Sequence, residues 1–354
     1  MAFLVCGCFC GESGLQKLGL CGIHPLTQRY KAIGVSSMYK KIPSLPIAEG
    51  NALGIVLDGC IKQYDKVFDT APFKSFAVYS DYSGKTNGKY HIYSFLFTPL
   101  DFVGNYYAAV EKSRMVQGLK HGELSFKKMG HNPKMLAVAQ DALRHSNNLL
   151  PGLLVNVVVD KKINTLFSED QRGSKNYLKQ SLKDGGFLHL PKQSIETALR
   201  IAHIFSFLTA SVLPSDKPIF WMSDNEDDFY PSGNEKIRKD FLKLLDRVLP
   251  LYMSSGYDFI NFCTQGAVDV KWHRELVSLV DLSAAGLNDI MTCNVLKQPI
   301  AAKSEVIGKW LSLEQGLGLQ KMNLYISMSD SGIHSGKVDI GFNGDKSDMV
   351  KLAL

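Results

Sequence analysis

The pattern of apolar and polar positions becomes regular at residue 76. Phe76-Ala77-Val78-Tyr79-Ser80-Asp81 is rich in strand formers and runs into Tyr82-Ser83-Gly84, a turn composition. Residues 90–97 form a second aromatic and β-branched run, so the two stretches predict a hairpin. Residues 101–116 have helical character, and 134–150 follow Asn132-Pro133, a cap with Pro in the first turn. The near-continuous apolar run 153–159 closes on Asp160 and suits a strand buried on both faces.

Residues 194–212 predict a long apolar helix, and 218–222 a short strand entering Ser223-Asp224-Asn225-Glu226-Asp227-Asp228. In the next helix Ser232 and Glu235 fit a capping box, and Ile237, Phe241, Leu244, Leu245 and Val248 share one face before Pro250 stops it. A strand over 257–262, a helix beginning near Asp281 or Ser283, another over 304–314, and a terminal β-pair of 323–328 with 337–342 complete the expectation. Strands early, then helices and strands in alternation, predict an α/β fold with a mixed sheet.

Residues 1–70 differ: they are Cys- and Gly-containing at first, then broken by Pro25, Pro43 and Pro46, with little sustained periodicity. The expected organisation is an N-terminal extension over 1–70 and an α/β domain with a C-terminal elaboration over 71–354. At roughly 150 residues per domain, 354 residues allow two domains or one enlarged one. The apolar run 201–213 is interrupted by His203, Ser206, Thr209 and Ser211 and falls short of the ~18–20 residues of a membrane span. No basic n-region precedes the first apolar residues, so neither a membrane association nor a secretory signal is expected, and the cytoplasm is the expected location. Seven cysteines, an odd number, point to reduced thiols. A net charge of +6 and a pI near 8.8 are compatible with a polyanionic partner.

The candidate chemistry is acidic. Asp81 and Asp224 each close a strand, where α/β folds place their sites, and would lie together if those strands are neighbours. Glu123 and Asp289 are the further candidates. Asp289 shares a helix face with Ala285 and Gly286, small residues that would let the helix approach the sheet. Close carboxylates must share protons or bind a divalent cation, and hard oxygen donors favour Mg²⁺ or Mn²⁺. Taken singly, Asp81 also reads as a turn residue, Asp224 as part of a solvated loop, Asp289 as an exposed helix position and Glu123 as a partner of Lys127 or Lys128. Asp160 is a fifth candidate, for which a structural turn role is the competing reading.

In order, Ser80-Asp81-Tyr82-Ser83-Gly84, Gly122-Glu123-Leu124-Ser125-Phe126-Lys127, Val158-Val159-Asp160-Lys161, Met222-Ser223-Asp224 and Leu287-Asn288-Asp289-Ile290 resemble the motifs of the RNase H-like family known as domain of unknown function 3800. The resemblance covers roughly residues 75–295, with Tyr82 where the family has Glu. It implies an RNase H-like fold and a two-metal nuclease or related phosphoryl-transfer site. Asp81, Glu123, Asp224 and Asp289 would then be both the catalytic and the metal residues, and nucleic acid, DNA or RNA, the partner. A catalytically inactive scaffold that binds nucleic acid or protein is the alternative. Lys120, Lys127 and Lys128, with Lys134, surround Glu123 in sequence and would bind the substrate backbone.

Other signals are weaker. Cys6, Cys8, Cys10, Cys21 and His24 carry zinc-type ligands, yet Cys-x-Cys-x-Cys is not the usual knuckle spacing, so buried thiols are the preferred reading over Zn²⁺. Gly7, Gly11 and Gly14 make no phosphate-loop fingerprint. His203 sits in an apolar helix and reads as a core residue, Tyr82 reads as packing beside the hairpin, and His121 and His131 flank Glu123 as possible proton carriers.

Overall fold

The hairpin at 76–97 lies at the centre of the fold. The computed structural model describes residues 3–5 and 38–353, apart from 87, 169–172, 225–232, 254, 255, 258, 265–269, 314–317, 331 and 342–349. The strands are β1 (Phe3–Val5), β2 (Tyr39–Lys41), β3 (Lys66–Phe68), β4 (Phe76–Ser83), β5 (Tyr90–Pro99), β6 (Gly152–Asp160), β7 (Ile219–Ser223), β8 (Ile260–Thr264), β9 (Leu319–Ser329), β10 (Gly332–Ile340) and β11 (Val350–Ala353). Among the described residues, nine of them form one sheet in the order β1-β8-β7-β4-β5-β6-β9-β10-β11, and β2 and β3 pair separately. β4, β5 and β6 form an antiparallel meander, while β7 and β8 run parallel to β4 on its other side. This is the mixed, helix-flanked sheet expected of an RNase H-like domain. β9 is parallel to β6, and β10 and β11 continue antiparallel, so the C-terminal strands extend the main sheet.

The helices are α1 (Ala52–Ile61), α2 (Val103–Gln117), α3 (Phe126–Met129), α4 (Pro133–Leu149), α5 (Ser174–Asp184), α6 (Ile195–Val212), α7 (Glu235–Val248), α8 (Lys271–Leu296) and α9 (Ala302–Ser312). Strand alternation divides the core in two. Phe76, Val78, Phe95, Phe97, Val155, Val157 and Trp221 face α1, α6 and α7, with the Trp221 ring stacked 3.8 Å from Phe205. Ala77, Tyr79, Ile92, Leu96, Leu154, Val158 and Met222 face α2, α4, α8 and α9. With both faces covered, the sheet needs the nearly unbroken apolar strands seen at 153–159. Two helical stretches, 192–212 and 271–296, are long and apolar enough by composition to cross a membrane, but most of each is buried in these two cores.

The α8 face carries one polar row. Asp81 is the register partner of Ser94, Ser94 of Asn156 and Asn156 of Asn323. Asn156 is fully buried and is the hub: it donates from Nδ2 to Asn323 Oδ1 at 2.8 Å, and its Oδ1 accepts from Ser283 on α8 at 2.7 Å and from the Ser94 hydroxyl. On the other side of Asp81, the Asp224 N–H donates to the Ser80 carbonyl at 2.9 Å, continuing the β4–β7 pairing by one residue. The row therefore runs from Asp224 to Asn323 across five strands or their ends, and hydrogen bonds offset the burial of its neutral members.

Several predicted boundaries move. The helix expected near Asp281 or Ser283 begins ten residues earlier, at Lys271, where Val270 offers no side-chain cap to signal the start. The cap of α7 is Asn234, whose Oδ1 accepts from the Ile237 N–H at 3.3 Å; Ser232, the predicted cap, lies outside the described residues. The strand expected from 257 begins at Ile260, and Tyr257 instead donates its hydroxyl to the carbonyls of Thr209 and Leu213. Within 1–70, α1 is capped by Asn51 and packs in the same core as α6, while Gln320 of β9 accepts from the Phe68 N–H at 2.7 Å.

Replacing the hub tests the row. Asn156→Ala strands the polar groups of Ser94, Ser283 and Asn323 in a dry core, and unfolding free energy should drop by about 2–4 kcal/mol. Urea denaturation, with the slope unchanged, is the measurement.

Candidate active site

Asp81 is the inward residue at the end of β4, on the face shared by Ala77 and Tyr79, and it is 6% exposed. β7 lies beside β4 in parallel, so Asp224, one residue past β7, arrives next to Asp81 at the carboxyl edge of the sheet. The two carboxyl groups are within hydrogen-bonding reach, a contact that adds to burial in favouring the protonated form of Asp81. On the opposite face Tyr82 locks the two strand ends, its hydroxyl bonded to Ser80 at 2.8 Å and to Ser223 at 3.0 Å. Its ring packs on Tyr93 and Phe95, the packing role expected from the sequence.

The remaining acids come from α8 and from the loop after α2. Asp281 projects toward Asp81 and Asp224, and its Oδ2 accepts from the Phe126 N–H at 3.0 Å, capping α3. Glu123 stands just before α3 in a tightly held loop. Arg114, buried and paired through two nitrogens with Glu275 at 2.8 and 3.0 Å, donates to the carbonyls of Lys120 at 3.2 Å and Gly122 at 2.6 Å. Ser278 of α8 accepts from the Leu124 N–H at 3.0 Å. Bracketed on both sides, Glu123 is presented to Asp224 and Asp281, and the charges act on one another.

Electrostatics follow from this placement. Burial first, then the negative charges of Asp281 and Asp224, push the Asp81 carboxyl well above the ordinary range. Burial, with Glu123 and Asp224 adding to it against the opposing Phe126 N–H, raises Asp281 to about 6. Glu123 is raised by burial and by Asp224, opposed by Lys128. Lys127 and Lys128, exposed on α3, are the nearby cations acting on Asp281 and Glu123. The donor set is carboxylate oxygen alone, which suits Mg²⁺ or Mn²⁺ and not a thiolate-seeking metal. Among the described residues no three His, Cys, Asp or Glu side chains, as placed, form a complete ligand group.

Three of the four expected acids thus converge: Asp81, Glu123 and Asp224. Asp289 does not. It lies two turns beyond Asp281 along α8 and accepts from the Ser304 hydroxyl of α9 at 2.5 Å. The small residues read as admitting the sheet admit α9 instead: a Cβ on Gly286 would lie 2.6 Å from Ile307 Cγ2. Asp281 takes the place assigned to Asp289. The signal was present, since Asp281 is the one acid in the apolar stretch 276–287, but it reads as a helix start when the helix is begun there. Asp160 accepts from the Lys162 N–H at 2.9 Å in a local turn, four residues beyond the polar row. His121 pairs with Glu111 at 3.1 Å, and His203 is a core residue bonded to the Tyr252 hydroxyl at 2.7 Å. Lys120 is exposed near the Glu123 loop, and the candidate zinc ligands Cys6, Cys8, Cys10, Cys21 and His24 lie outside the described residues.

A carboxyl whose pKa rises on folding binds its proton more tightly in the native state, so native stability falls as pH rises from the unfolded value toward the folded one. For Asp281 that window runs from near pH 4 to about 6, and Asp81 extends it upward. Without divalent ions, Asp81→Asn should raise the thermal midpoint at pH 8 by several degrees and flatten its pH dependence. Mn²⁺ should stabilise the native sequence at pH 8 and not the variant, as scanning calorimetry would read. Compared with the models of known protein families, with curated proteins and with solved structures, the chain matches none.

Proposed function

We propose that the chain is a Mg²⁺- or Mn²⁺-dependent nuclease that hydrolyses phosphodiester bonds in DNA or RNA with two metal ions, and that it works in the cytoplasm. One observation carries this reading: Asp81, Glu123, Asp224 and Asp281, from four separate parts of the chain, come near one edge of the sheet, close enough that burial and their mutual charges raise Asp81, Glu123 and Asp281. Membership of the domain of unknown function 3800 family belongs to the same proposal and draws on the motif order across 75–295.

In this reading Asp81, Asp224, Glu123 and Asp281 would be the residues that hold the ions. Divalent ions bound there would supply an activated water and offset the negative charge that builds on the phosphate. Carboxyl groups that hold a cation must give up their protons, so metal affinity would rise with pH. Arg114 fixes the loop that presents Glu123. Lys127 and Lys128 at the rim, with Lys120 nearby, attract the substrate backbone, an attraction that salt weakens. The scaffold alternative draws on a different observation, that the acids as placed form no complete ligand group among the described residues.

Substitution separates these readings and also separates Asp281 from Asp289. Asp81→Asn, Asp224→Asn and Asp281→Asn should each lower Mn²⁺-dependent cleavage of a labelled strand by about a hundredfold or more. Asn at 281 keeps an oxygen for the Phe126 N–H, so the loop remains capped. Asp289→Asn should leave the rate within about threefold, because its partner is Ser304 on α9. Equal losses at 281 and 289, or no cleavage by the native sequence in Mn²⁺ or Mg²⁺, would sink the proposal.

A further inference from the structure

A cavity opens on the same edge and the same face of the sheet as the acids. It has a volume of about 1060 Å³ and lies where β6 and β9 end, where β5 and β10 begin, and beside Val295 in the last turn of α8. Its charged lining is Lys89, Lys161 and Lys162 against the single carboxylate of Asp160, with His334 also on the wall. Asp160 already accepts from the Lys162 N–H, and its register partner Tyr90 forms the floor with Tyr325, their rings 6.1 Å apart. Burial lowers the Lys161 ammonium below its ordinary value, so the wall carries positive charge under partial desolvation.

Position relates this cavity to the acids. Asp81 and Asn156 share the polar row, and Asp160 is four residues further along β6, two strands away from β4. At the usual strand spacing and rise, that places the cavity about 16 Å from Asp81. Between the two stands the β4–β5 turn, which carries Lys85 and Lys89. A single strand of nucleic acid covers such a distance in a few nucleotides.

We propose that the cavity bounded by Lys89, Lys161 and Lys162 is a backbone subsite that holds a phosphodiester of a single-stranded nucleic acid a few nucleotides from the bond presented to Asp81 and Asp224. The identity of the ligand rests on the nuclease reading, while the cavity and its lysines stand apart from the acids. Its contacts are to phosphate, so it adds affinity and register without sequence preference.

The test uses the full chain and a fluorescein-labelled single strand of about 12 nucleotides, as DNA and as RNA, in EDTA so that nothing is cut. Lys89→Gln/Lys161→Gln/Lys162→Gln should weaken binding by about tenfold or more and lower the slope of log affinity against log salt by about two. The native unfolding midpoint should be kept. Lys162→Glu alone, at an exposed position, should weaken binding more than Lys162→Gln. In Mn²⁺ the triple variant should raise KM for the strand and leave the saturated rate unchanged. Unaltered affinity and salt slope would overturn the subsite even if the native chain cleaves. Displacement of the strand by submillimolar inorganic phosphate would overturn it in favour of a small phosphate ester. Loss of strand affinity in the triple variant without any native cleavage would keep the subsite and remove the nuclease reading.

Discussion

The cost of charging several carboxyl groups in one poorly hydrated place is the constraint on which this architecture turns. Two like charges 4 Å apart repel by about 4 kcal/mol at an effective dielectric constant of 20, against a whole-domain stability of about 5–15 kcal/mol. Asp81, Asp224, Asp281 and Glu123 therefore cannot all be ionised together without compensation. A proton, which burial and the neighbouring acids favour on Asp81, is one compensation. A cation is the other available one.

Such a cluster survives only if its supports are stronger than its repulsion. Each acid is anchored by something other than its neighbours. Asp224 is held by the β4–β7 ladder, Asp281 by the Phe126 N–H, and the Glu123 loop by the buried Arg114–Glu275 pair. Farther along the same face the row turns neutral, through Ser94, Asn156 and Asn323, whose groups satisfy one another and cost little to bury. The sheet face thus grades from charge at its edge to neutral hydrogen bonding at its centre.

Much of this was legible in the sequence, for physical reasons that also explain the failures. The hairpin at 76–97 and the buried strand ending at Asp160 announce themselves by composition and turn residues, and parallel placement of β4 and β7 then brings Asp81 and Asp224 together. The polar row was not legible, because Ser94, Asn156 and Asn323 become neighbours only through register across two strand pairs. Asp281 and Asp289 have the same chemistry eight residues apart, and only the rotation of α8, set by the fit of Gly286 against Ile307, decides between them. α1 escaped notice since its ten residues carry no strong period, and its place is decided by the core it covers.

The 26 residues of α8 have a mechanical consequence. Asp281 near its middle and Val295 near its end belong to one unbroken rod, with Ser283 pinned to the sheet between them. Adding or deleting one residue in that span would turn everything beyond it by about 100°. Chain length is therefore frozen between these points, and variation in this protein should accumulate as exchanges of side chains there, with insertions confined to the surface turns.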